Sequence, residues 1–145
     1  MIAVADTSGI LTLFNRSDPD HHAARKAADQ CGFLVASPLA LTEVHQVATV
    51  RAGRGAADAI LRTLTERVRQ MRLVLAPTTP EILDAALTVR ARYASPDLDL
   101  VDAVNVALAA EYGTDAVLTR DRRDFRTVRP VGGRYACFRI LPDDL

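Results

Sequence analysis

The chain of 145 residues suits one compact domain with a buried core, and its 49% hydrophobic and 25% charged residues exclude disorder. Basic and acidic side chains number 18 each, which excludes the strong overall positive field of many nucleic-acid binders. No uncharged apolar run approaches the roughly 20 residues that span a bilayer, and Met1–Asp6 lacks the basic region and long apolar stretch of a signal peptide. The expected location is therefore the cytoplasm, with no membrane partner.

In chain order, Ile2–Ala5 is a short apolar run ending in Asp6-Thr7-Ser8-Gly9, which predicts a strand followed by a cap-rich turn. Short helices are expected over Ile10–Asn15 and Asp20–Gln30, the second stopped at Gly32. Phe33–Ala36 is a second strand. Ser37-Pro38 then carries a favoured N-cap and a first-turn proline, opening a helix to about Arg51, before Gly53. Ile60, Leu61, Leu64 and Val68 form the stripe of an amphipathic helix over Ala56–Met71. Leu73–Leu75 is a third strand, Thr79–Tyr93 a helix, and Leu98–Tyr112 another, stopped by Gly113. Ala116–Leu118 is a fourth strand and Cys137–Leu141 a fifth at an edge.

Short apolar strands alternating with helices predict a single α/β domain over residues 1–145: a three-layer sandwich with a mainly parallel sheet of four or five strands. In such folds the site lies beyond the carboxyl ends of the strands, at the topological switch point.

Candidate site residues follow from that rule. Asp6 directly follows the first strand and Asp121 closely follows the fourth, so both side chains are expected at the carboxyl edge, as neighbours if those strands pair. Either also reads as a helix cap or a turn residue. Glu43, early in its helix and flanked by Leu39, Val44 and Val47, reads as a solvated acid near a helix N-terminus or as a site acid beside an apolar face. Asp102 heads a segment, Ala103–Ala110, that is apolar nearly all round and hence buried. A carboxylate there needs a paired charge or a cation. Asn105, three residues on, shares its helix face with Asp102 and Asp99. Clustered acids without His or Cys partners favour a hard divalent cation, Mg2+ or Mn2+. His21, His22 and His45 show no ligand spacing, and Cys31 and Cys137 read as small core residues.

Arg120, Arg122, Arg123, Arg126, Arg129, Arg134 and Arg139 face only Asp121 and Asp124 in the same stretch. This is either a phosphate-binding region or a compositional bias, since Lys26 is the single lysine.

The segments Val4-Ala5-Asp6-Thr7-Ser8, Leu41-Thr42-Glu43-Val44, Leu100-Val101-Asp102-Ala103 and Leu118–Phe125 resemble, in order and spacing, the PIN-domain family, and within it the VapC-type toxins of bacterial toxin–antitoxin modules. The resemblance spans essentially the whole chain. It implies an acidic quartet of Asp6, Glu43, Asp102 and Asp121, with Asp99 and Asp124 as auxiliaries. Thr7, Asn105 and Thr119 would stand behind these acids. Asn105 sits where such proteins often have a smaller residue, placed either to tune a metal or to bond to Asp102.

The implied activity is Mg2+- or Mn2+-dependent endoribonuclease, with activated water cleaving RNA phosphodiesters and Arg120, Arg122, Arg123 and Arg126 gripping flanking phosphates. The implied partners are RNA, a cognate VapB-type antitoxin and a second copy of the chain. Two other readings compete. One is a non-catalytic RNA- or protein-binding module. The other is an aspartyl phosphotransferase with Asp6 as nucleophile, against which Ser8 stands where a second acid is usual.

Overall fold

The computed structural model describes residues 1–145. Strands β1 (Ile2–Ala5), β2 (Phe33–Ala36), β3 (Leu73–Leu75), β4 (Ala116–Leu118) and β5 (Arg139–Leu141) form one sheet in the order β3-β2-β1-β4-β5. Every pairing is parallel, so the sheet is wholly rather than mainly parallel. The helices are α1 (Thr7–Leu13), α2 (His21–Gln30), α3 (Pro38–Ala52), α4 (Arg54–Arg69), α5 (Pro80–Arg92), α6 (Leu100–Glu111) and α7 (Arg122–Thr127).

The alternation of side chains along each strand divides the core into two layers. Val4, Val35, Val117 and Ile140 point to one face, where they meet Ile82, Ala86 and Val89 of α5, Val104 and Ala107 of α6, and Phe125 of α7. Ala3, Ala5, Leu34, Ala36, Leu118 and Leu141 point to the other, against Ile10 of α1, Ala24 and Ala27 of α2, Val44 of α3 and Leu64 of α4. The result is the expected three-layer α/β/α sandwich. No helix is long and apolar enough to cross a membrane.

Local chemistry sets the boundaries. Ser37 caps α3 by accepting from the Leu39 N–H at 2.9 Å, and Thr79 caps α5 by accepting from Ile82 N–H at 3.2 Å. Asp99 accepts from Asp102 N–H at 2.8 Å, so α6 starts at Leu100 and not Leu98. Asp6 has extended backbone, and the first helix begins at Thr7, a turn earlier than expected at Ile10. Gly53, at φ 91°, ends α3 and begins α4, bringing the latter's start forward to Arg54.

The helix α7 is absent from the sequence expectation: it is short and mostly polar, with Phe125 as its buried residue. Phe125 meets Phe138 edge to face, centroids 5.7 Å apart, which pins α7 near β5 and adds about 0.5–1.5 kcal/mol beyond burial. Cys31 is buried as expected. Cys137 is exposed, because the fifth strand begins two residues later, at Arg139.

Candidate active site

The chain builds β1, β2 and β3 outward to one side, then places β4 and β5 on the other. The switch point therefore lies between β1 and β4, where Val4 aligns with Val117 and Ala5 with Leu118. Asp6 and Thr119 emerge side by side from that edge. Gly9 allows the approach: a Cβ there would lie 2.1 Å from the Leu118 carbonyl oxygen, so only glycine lets α1 press against the end of β4.

Asp6 is 4% exposed and held by three donors. Asn105 Nδ2 donates to Oδ1 at 3.0 Å, while Thr119 Oγ1 and Ser8 Oγ donate to Oδ2 at 2.9 and 3.3 Å. Thr119 Oγ1 in turn accepts from the Asp121 N–H at 2.9 Å, linking the first residue past β1 to the cap of α7. Burial outweighs these donors and pushes the Asp6 carboxyl up to about 6. These donors hold the Asp6 carboxyl in one orientation.

Asp102 lies in the first turn of α6. Burial, and then the charges of Asp6, Asp99, Asp121 and Asp124, push its carboxyl up to about 8. Asp121 is raised as well, first by burial. It caps α7 by accepting from Asp124 N–H at 3.3 Å, so its capping and site roles coexist. Carboxylate oxygens of Asp102, Asp121 and Asp124 lie within 4.8 Å of one another. Asp124 thus stands inside the tightest group, although the sequence suggests only an auxiliary place. The signal that could have found it is the Asp121-x-x-Asp124 cap pattern before Phe125.

Glu43, on α3, is tied to the first helix by Thr7 Oγ1, which donates to Oε1 at 2.6 Å. Asp99 is exposed and serves α6 as its cap. Asn105 bonds to Asp6 and not to Asp102, its neighbour along the helix; its own Oδ1 is buried and unpartnered.

The arginines are largely committed. Arg120 pairs with Asp18 and Asp20, Arg122 with Asp143 and Asp20, and Arg126 with both oxygens of Asp144 at 2.6 and 2.7 Å. Arg139 pairs with Asp115. Acids distant in sequence thus pair with four of the seven arginines of this stretch. Of the four residues expected to grip phosphate, Arg123 is exposed and has no ion pair.

The donor set fits a hard cation. It consists of carboxylates alone, with burial and mutual repulsion holding Asp6, Asp102 and Asp121 away from their charged forms. A divalent ion reverses that balance.

The family model described as PIN domain matches residues 3–129. Ribonuclease VapC26 of Mycobacterium tuberculosis is 33% identical over 140 residues, covering 96% of this chain and 99% of the relative. Among solved structures, Mycobacterium tuberculosis VapC20, described as a sarcin–ricin loop cleaving toxin, superposes with a TM-score of 0.71 at 22% identity, covering 85% of this chain and 92% of that one. VapBC2 of Rickettsia felis, solved with a DNA fragment from its promoter, gives a TM-score of 0.68 at 11% identity, covering 97% of this chain and 98% of that one. At such identities the two structures share the fold.

Proposed function

Since the chain belongs to the PIN-domain family, in its VapC branch, we propose that it is a divalent-metal-dependent endoribonuclease, the toxin of a type II toxin–antitoxin pair acting in the cytoplasm. Residues 1–145 would form a single nuclease domain. The carrying observation is the meeting of Asp102, Asp121 and Asp124 carboxylates within 4.8 Å, in electrostatic reach of Asp6. The ribonuclease name of the 33% identical relative supports the substrate class.

Asp102, Asp121 and Asp124, with Asp6 beside them, would hold Mg2+ or Mn2+. When bound, such an ion offsets negative charge on phosphoryl oxygens and acidifies water. The chain's own residues do the rest. Asn105, Thr119 and Ser8 fix the Asp6 carboxylate in one orientation, so none is spent reorienting it during the reaction. Thr7 holds Oε1 of Glu43, leaving Oε2 without a hydrogen bond and open to accept the proton of attacking water.

The partners we propose are a VapB-type antitoxin and a second copy of the chain. Support for the antitoxin comes from the VapBC2 structure of Rickettsia felis, which shares this fold.

The test is incubation of purified protein with structured RNA. Cleavage is expected with Mn2+ and none with chelator, and Asp6→Asn and Asp102→Asn should be folded and inactive. Cleavage that persists in chelator, or in both variants, rules the reading out.

A further inference from the structure

A concavity lies next to Ser8, which hydrogen-bonds Asp6. It is a cavity of about 170 Å³ lying between α1, the last turn of α3 and the start of the β4–α7 connection. Ser8, Asn15, Asp18, Arg51 and Arg120 line it, and Leu11 is its one apolar residue. Ser8 joins it to the site: its hydroxyl donates to Asp6 Oδ2 at 3.3 Å and accepts from the Arg120 N–H at 2.9 Å.

The lining selects a ligand class. There is no aromatic face on which a base could stack. Asp18 pairs with Arg120, which it shares with Asp20, and accepts from the Asp20 N–H at 2.9 Å, so its carboxylate is turned to partners of its own. Arg51 is exposed and, unlike Arg120, Arg122 and Arg126, pairs with no carboxylate. Asn15 accepts from Ser17 N–H through Oδ1, which leaves its amide nitrogen free to donate. An uncommitted guanidinium beside a free amide describes a seat for a singly charged oxyanion.

We propose that this cavity seats the phosphodiester next to the one cleaved, with Arg51 as the residue that grips it. This rests on the ribonuclease reading and adds to it a direction: the RNA backbone leaves the carboxylates past Ser8 and toward the end of α3. Phosphate gripping at this cavity thus falls to a residue outside the arginine-rich C-terminal stretch, where Arg120, Arg122 and Arg126 are paired with acids.

The experiment compares Arg51→Gln, Arg51→Lys and Arg92→Gln, the last an exposed, unpaired arginine on α5 in the opposite layer. In an Asp102→Asn background, fluorescence anisotropy with a labelled single-stranded RNA of mixed sequence gives affinity against salt concentration. Arg51→Gln is expected to weaken binding about ten-fold and to flatten the log–log salt slope by about 0.7, one phosphate contact on a single strand. Arg51→Lys should keep the slope, and Arg92→Gln should keep both slope and affinity. With Asp102 intact, Arg51→Gln should raise KM and leave kcat within about two-fold. Equal slopes for Arg51→Gln and the parent, or equal losses for Arg51→Gln and Arg92→Gln, overturn the assignment while RNA cleavage by the parent stands. Failure of the parent to cleave RNA overturns both readings.

Discussion

Asn105 and Asp6, 99 residues apart in sequence, meet through a 3.0 Å hydrogen bond between two side chains that are 0% and 4% exposed. Asn105 belongs to the most buried helix and Asp6 to the end of the central strand, so the bond ties α6 to the sheet at the site. Replacing Asn105 by Ala leaves a buried carboxylate oxygen without its donor. Urea unfolding of Asn105→Ala should show a loss of about 1–3 kcal/mol; a change below about 0.5 kcal/mol would mean the bond is idle.

The raised carboxyls fix the sign of a pH effect. Asp6 and Asp102 hold protons more tightly folded than unfolded, with folded values of about 6 and about 8 against 3.8. Their contribution is complete below the unfolded value and fades as pH rises through the folded ones. Metal-free protein should therefore lose thermal stability between pH 5 and about 8.5, and Mn2+ should restore most at the upper end. At a hundred times its dissociation constant the ion adds about 2.7 kcal/mol. A Tm that climbs over this range without metal, or ignores Mn2+ at pH 8, contradicts the cation-holding cluster.

Gly9 admits no side chain, since its Cβ would sit 2.1 Å from a backbone oxygen of Leu118. Gly9→Ala should cost about 1–3 kcal/mol by forcing α1 away from β4, read by chemical denaturation. It should also lower activity at temperatures where the variant is still folded, because Ser8 and Asp6 shift with the helix. Unchanged stability would show that the two elements separate without penalty.

Thr7 is a positioning residue for Glu43 through its 2.6 Å bond. Thr7→Val keeps the shape and removes the donor, so kcat should fall about 10- to 100-fold with Tm nearly unchanged, and Thr7→Ser should recover most of it. Equal activity for Val and Thr would remove Glu43 from the proton-accepting role.

Much of this architecture is legible in one dimension. Phe33–Ala36, Leu73–Leu75 and Ala116–Leu118 stand out as short apolar runs between breakers, and the structure has strands at those residues. Ser37 and Thr79 announce their helices because capping is a local bond between residues two or three apart. Asp6 and Asp121 can be placed at one edge because a parallel sheet delivers the residues after its strands to the same end. The helix α7 escapes such reading, since six mostly polar residues carry no periodicity.

What only the tertiary structure decided are the pairings between distant residues. Along the helix, Asn105 is offered Asp102 as a neighbour; in space it takes Asp6. Counted within their own stretch, the arginines look unopposed, yet Asp18, Asp20, Asp115, Asp143 and Asp144 come from elsewhere to meet four of them. Arg51, unremarkable in sequence, becomes an unpaired cation in the cavity next to Ser8. The physical reason is range: periodicity and capping act within a few residues and are written in the chain, whereas burial and charge compensation depend on which elements the sheet order makes adjacent.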